Sequence, residues 1–180
     1  MMNERMLPLL RIIRSGDRRY SLIAYIFGVF LSGGNCGTGP IAWLRGWPVP
    51  DLCRGSGKID IGHVGLYPGV RLHCHGSGHI AIGDGTFLNR QARIWAGKQV
   101  VLRRNCMISW QTVITDFTGS ATGEKYAPVL LDDDVWIGSR AVILGGTRLG
   151  RGCVVAAGSI VQGDFPANAL IGGKPAEVIT

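Results

Sequence analysis

LDDDVWIGSRAVILGGTRLGRGCVVAAGSIV, residues 131–161, places an aliphatic side chain at every sixth position: Leu131, Ile137, Ile143, Leu149, Val155 and Val161. An α-helix repeats about every 3.6 residues and an amphipathic strand every second one, so neither alone generates this period. A fixed short repeat of this kind is the signature of a solenoid, in which each repeat is a short strand and a turn and stacking buries one row of side chains. The same phase recurs upstream. "KIDIG" (58–62), "HIAIG" (79–83) and "QVVLR" (99–103) repeat one phrase, with Leu88 and Ile94, then Ile108 and Ile114, following six residues apart. Three hexapeptides make a coil, and the spacings from Ile61 to Ile82 and from Ile82 to Leu102 leave two or three extra residues per early coil, read as small bulges at the corners.

Between Ile114 and Val129 the rhythm stops. Residues 116–128, DFTGSATGEKYAP, are polar and small and read as a loop inserted between coils. Residues 32–57 are rich in Gly and Pro and read as an irregular lead-in, with Trp43, Leu44 and Trp47 covering the open end of the stack, as an uncapped solenoid exposes its core and its strand edges. Residues 1–31 read as short helices. The predicted architecture is an all-β solenoid, with a helical and capping segment at 1–57 and a repeat domain at 58–180.

Composition narrows the function. Nineteen Lys and Arg against 12 Asp and Glu give 19 − 12 = +7, which suits an anionic partner such as a phosphorylated cofactor. No aromatic-and-basic RNA signature or zinc-finger spacing is present, so no nucleic acid is expected. Five Cys without a CxxC pair read as reduced, mostly buried thiols and point to the cytoplasm rather than to a disulfide framework. The apolar run LIAYIFGVFL (22–31) is too short to span a bilayer as a helix. It reads as a helix packed on the solenoid or its neighbour, and leaves open a peripheral membrane contact through residues 1–31.

The phrases "DVWIG" (134–138), "AAGSIV" (156–161) and "IGGKPAEVI" (171–179) resemble the closing coils of the hexapeptide-repeat acyltransferases, and "FLNRQARI" (87–94) is similar to a coil of their sugar O-acetyltransferase branch. The resemblance covers about residues 58–180. It implies a left-handed parallel β-helix, a homotrimer with sites in the clefts between subunits, and an acyl-CoA donor, usually acetyl-CoA. The acceptor it implies is a hydroxyl or amine of a sugar or small metabolite. Gly138, Ser139, Arg140, Ala157, Gly158 and Lys174 are then expected along the cofactor, and Asn89, Trp110 and Thr118 at the acceptor. No bound metal is expected.

One departure stands out. Acyl transfer to a hydroxyl needs a base for the acceptor's proton, and the resembling family uses a His just after the aliphatic that leads into the inserted loop. Here "ISWQTVITDFTGSATG" (108–123) contains none. Asp116, with Glu124 as a second option and Ser120 as a relay, is the expected replacement; a turn residue satisfying backbone N–H groups is the equal alternative for Asp116. The four His (63, 73, 75 and 79) fall about two coils away, roughly 10 Å along the axis at ~4.8 Å per coil. Two other readings stay open: a member that has lost transfer and serves as a binding or assembly partner, and a γ-type carbonic anhydrase using those imidazoles.

Overall fold

The computed structural model describes residues 57–119 and 125–179, together with the backbone of the strands Cys36–Thr38, Ala42–Leu44 and Asp51–Arg54. The chain winds as a left-handed parallel β-helix with three faces. The first face stacks Cys36–Thr38, Lys58–Ile61, His79–Ile82, Gln99–Leu102, Val129–Leu131, Arg148–Leu149 and Asp164–Phe165. The second stacks Ala42–Leu44, Val64–Leu66, Phe87–Leu88, Met107–Ile108, Trp136–Ile137, Val154–Val155 and Leu170–Gly173, and ends in an antiparallel partner, Ala176–Val178. The third stacks Asp51–Arg54, Arg71–Cys74, Arg93–Ala96, Val113–Thr115, Val142–Ile143 and Ile160–Val161.

The six-residue period visits the faces in turn, so each aliphatic meets its equivalent one coil away. Ile61 pairs in register with Ile82, Ile82 with Leu102, Leu102 with Leu131, and Leu131 with Leu149. These ladders, with those of Leu88, Ile108 and Ile137 and of Ile94, Ile114 and Ile143, are buried. Each such side chain contributes roughly 1.5–3 kcal/mol of hydrophobic stabilisation. Cys74, Cys106 and Cys153 are free and buried; burial pushes the Cys106 thiol up to about 11. The side chains of Cys36 and Cys53 are outside the described residues.

Two expectations change. The extra residues of the early coils sit largely in the strands, which are four residues long at Lys58–Ile61, Arg71–Cys74, His79–Ile82, Arg93–Ala96 and Gln99–Leu102, against two at Val142–Ile143 and Arg148–Leu149. Two added residues preserve the in–out alternation of a strand, so Leu72 and Cys74 both point inward, as do Ile94 and Ala96. The lead-in is also less irregular than its composition suggested. Its three strands pair in parallel with Lys58–Ile61, Val64–Leu66 and Arg71–Cys74, so coil stacking begins ahead of Ile59. The helices expected at 1–31, and Trp47, lie outside the described residues. No helix among the described residues is long and apolar enough to cross a membrane.

Candidate functional site

Two corners of the prism carry the candidate chemistry. The first lies between the second and third faces and is made of the same turn repeated coil after coil. Its left-handed positions are Gly69, Gln91, Gln111, Arg140 and Gly158, with φ of 76°, 60°, 58°, 60° and 71°. Three of these carry side chains in a conformation that costs a non-glycine residue about 1 kcal/mol. Those side chains join: Arg140 Nε donates to Gln111 Oε1 at 2.9 Å, and Gln111 Nε2 donates to Gln91 Oε1 at 2.9 Å. The N–H of Arg140 donates to the Trp110 carbonyl and that of Gly158 to the Ser139 carbonyl, which fixes the turns one above another.

A groove of about 1130 Å³ runs along this corner. It is lined by six residues expected from the sequence, Asn89, Trp110, Ser139, Arg140, Ala157 and Gly158, together with Tyr67 and the two glutamines. Asn89 is not the left-handed residue of its turn; that is Gln91, while Asn89 Oδ1 accepts the N–H of Arg90 at 2.8 Å. Trp110 is 56% exposed and so stands outside the core. Gly138 stands apart from the lining. It is buried, its N–H donates to the Val155 carbonyl, and its own carbonyl accepts from Thr112 Oγ1. A Cβ there would lie 2.6 Å from the Ala157 nitrogen, so glycine is required by the close approach of two coils. Lys174 is exposed in the turn of the closing hairpin, outside the groove lining.

The second corner, between the third and first faces, is where residues 116–128 leave the stack. Asp116 is fully buried, and its carboxylate accepts three backbone N–H bonds, from Gly97 at 2.9 Å, Lys98 at 2.6 Å and Gln99 at 2.8 Å. Both oxygens are thus engaged with the neighbouring coil. This is the turn-satisfying role, and it leaves Asp116 without the solvent or substrate access that a base requires. The neck of the loop is held by the N–H of Ala127 on the Asp116 carbonyl at 2.8 Å and the N–H of Gly145 on the Phe117 carbonyl at 2.9 Å. Thr118 belongs to this neck: its N–H donates to the Lys125 carbonyl, and its carbonyl accepts from Gln162 Nε2. Ser120 and Glu124 lie outside the described residues.

The loop and the groove therefore sit at opposite edges of the third face, about 17 Å apart for the five residues from Gln111 to Asp116 at ~3.3 Å each. A single chain does not place them together. The imidazoles are also dispersed. His79 shares a hydrogen bond with Asp60 on the first face at 2.8 Å, while His73 lies on the third face with its ring centroid 5.8 Å from that of Trp95. Among the described residues no three His, Cys, Asp or Glu side chains converge on one point.

A feature the motif reading passed over is a second cavity, of about 450 Å³, against the loop. It brings His73 and His75 into the same space as Phe117, Lys125 and Tyr126, because Trp95 and Val113 bridge the coils between them. The readable signal was parity: Trp95 follows the inward Ile94, so a tryptophan points outward from a strand, and it is 54% exposed.

Comparison with known proteins agrees with this geometry. The bacterial transferase hexapeptide (six repeats) family matches residues 128–163. The 2,3,4,5-tetrahydropyridine-2,6-dicarboxylate N-acetyltransferase of Staphylococcus aureus strains is 57% identical over 53 residues, which is 29% of this chain. The match spans about a fifth (22%) of the length of those curated relatives. A hexapeptide-repeat acetyltransferase of Vibrio cholerae, solved with acetyl coenzyme A, is 32% identical over 61% of this chain and 63% of its own, with a TM-score of 0.55. AntD, an N-acyltransferase from Bacillus cereus, superposes over 91% of this chain and 89% of its own with a TM-score of 0.71 at 17% identity, a likeness of fold. Repeat, register and neighbours agree: residues 128–163 carry the bacterial transferase hexapeptide repeat, and the chain shares its β-helix with hexapeptide-repeat acetyltransferases.

Proposed function

We propose that this protein transfers an acyl group, acetyl in the first instance, from an acyl-CoA to a hydroxyl or amine of a sugar or small metabolite. The observation that carries the reading is the corner groove. Six residues expected separately for donor and acceptor line one continuous channel, with an arginine held in it by a chain of side-chain amides. A guanidinium whose Nε is already bonded keeps its terminal nitrogens for a phosphate, which it meets with directed N–H donors. The net charge of +7 favours the same anionic carrier.

A homotrimer fits the separation of loop and groove. In such an assembly the loop of one copy comes against the groove of the next, and each site is completed across an interface. The outward row of the second face is suited to contact between copies: Gly65, Phe87, Met107, Trp136, Val154 and Leu170 follow one another in register without a charge.

Asp116 is an anchor in this scheme, and the acceptor's proton goes to another group; the imidazoles that line the loop cavity, His73 and His75, are the candidates. The test is titration with coenzyme A. Saturating coenzyme A raises the melting temperature of the intact protein, since a ligand of the native state stabilises it, and Arg140→Met lowers the affinity about tenfold by removing a charge-assisted contact. Absence of any thermal shift sinks the transferase reading and leaves a binding or assembly role.

A further inference from the structure

We infer that the cavity beside the inserted loop is a binding site for a small anion that carries a flat ring, such as an aryl carboxylate or aryl phosphate. Three aromatic rings face this space. Trp95 lies on its third-face side, more than half exposed, and Phe117 and Tyr126 stand across it with centroids 6.1 Å apart in an edge-on arrangement. A cavity of this size and apolar lining, with few polar groups at fixed places, has the general character of a small-molecule site. Exposed aromatic faces of this kind are satisfied by a ring stacked on them.

The side chains free to meet a ligand beside the rings are basic. Arg93, Lys125, the half-buried His73 and the exposed His75 share the lining, and among the described residues no carboxylate pairs with Arg93 or Lys125. Lys125 Nζ instead sits 5.4 Å from the Tyr126 ring centroid. The one carboxylate of the lining, Asp116, has both oxygens turned to backbone N–H groups. A cation therefore finds no free carboxylate in the cavity, whereas an anion finds donors beside an aromatic wall. The walls are set before any ligand arrives, because the neck hydrogen bonds and the Asp116 anchor hold Phe117 and Tyr126 against the coil. Such preorganisation lowers the entropic cost of binding.

Ligand binding here does not depend on acyl transfer; only the further step of taking this ligand as the acyl acceptor rests on the function proposed above. The experiment is a titration of the intact protein with phenyl phosphate, benzoate, inorganic phosphate and benzyl alcohol, followed by tryptophan fluorescence and calorimetry. At least one ring-bearing anion is expected to bind about tenfold more tightly than both benzyl alcohol and inorganic phosphate, and the two anions distinguish phosphate from carboxylate. Trp95→Ala is expected to lower that affinity about tenfold, and Arg93→Gln and Lys125→Gln about threefold each with a shallower salt dependence. All three side chains are at the surface, so an unchanged melting temperature certifies the fold. Benzyl alcohol binding as well as the anions, no probe binding, or full affinity in Trp95→Ala overturns the assignment. So does failure of acrylamide to quench Trp95, the sign that a second copy covers it. Coenzyme A titrated into Trp95→Ala separates the two proposals. Ring anions that bind where coenzyme A does not would remove the transferase and keep this site, and the reverse would remove this site alone.

Discussion

The two corners that flank the third face were built by opposite means. The groove corner is pure repetition: one turn recurs through five coils, the left-handed residue is always in the same place, and the groove follows from stacking alone. The loop corner is an interruption, where the period stops, a carboxylate enters the space left between coils, and a cavity opens beside it. The contrast teaches that in a solenoid a channel long enough for an extended carrier comes from regularity, whereas a compact pocket needs a break in it.

The comparison breaks most sharply at Asp116. Asp116→Ala leaves the three backbone donors of residues 97–99 without their acceptor and opens a void at a buried position, and is expected to cost about 2–4 kcal/mol in urea unfolding. Asp116→Asn, which keeps an acceptor but adds donors, is expected to cost less, about 1–2 kcal/mol. A variant as stable as the parent yet dead in turnover would restore Asp116 as a base and undo its role as anchor. At the groove corner the sensitive position is Gly138. An added methyl meets the Ala157 nitrogen at 2.6 Å and the Val155 carbonyl oxygen at 2.7 Å, and Gly138→Ala is expected to cost about 1–3 kcal/mol while lowering coenzyme A affinity. If it loses neither, the groove does not depend on tight coil spacing.

The remaining corner, between the first and second faces, supplies a control that touches neither site. There the N–H of Arg104 and the guanidinium groups of Arg104 and Arg151 meet Asp133 at 3.0, 3.1 and 2.8 Å and hold its carboxyl below the usual carboxylate range. A carboxyl whose pKa is lower in the folded chain than in the unfolded one stabilises the fold above about pH 4, and that contribution is lost as the pH falls through the lowered value. Urea midpoints measured from neutral pH downward should therefore fall more steeply in the parent than in Asp133→Asn. Both proteins should bind coenzyme A and ring anions alike at neutral pH. An equal acid dependence would show that these arginines add little to the corner.

Much of this was readable from residues in order. The aliphatic at every sixth place predicted which side chains stack, and Leu131, Ile137 and Ile143 occupy the first, second and third faces as that period requires. The groove residues were expected from the resemblance rather than from the period, and the structure places six of them along one corner. Asp116 was half legible: its place at the mouth of the loop was visible, but which groups its oxygens face depends on the coil beneath, 17 to 19 residues earlier. The histidines were counted as two coils away from the loop, yet His73 and the loop line one cavity, because Trp95 and Val113 carry that cavity across the intervening coils.

By itself, then, the sequence determined the coil, its phase and the place where it is broken, since a period is a property of order along the chain and the hydrophobic ladder that enforces it is local. Tertiary structure decided which corner received each element. It set groove and loop on opposite edges of one face, spent the buried carboxylate on backbone donors, and gathered three aromatic rings and four basic side chains into a pocket. Those outcomes depend on contacts between successive coils, where neighbours in space are about twenty residues apart in sequence and no local pattern records them.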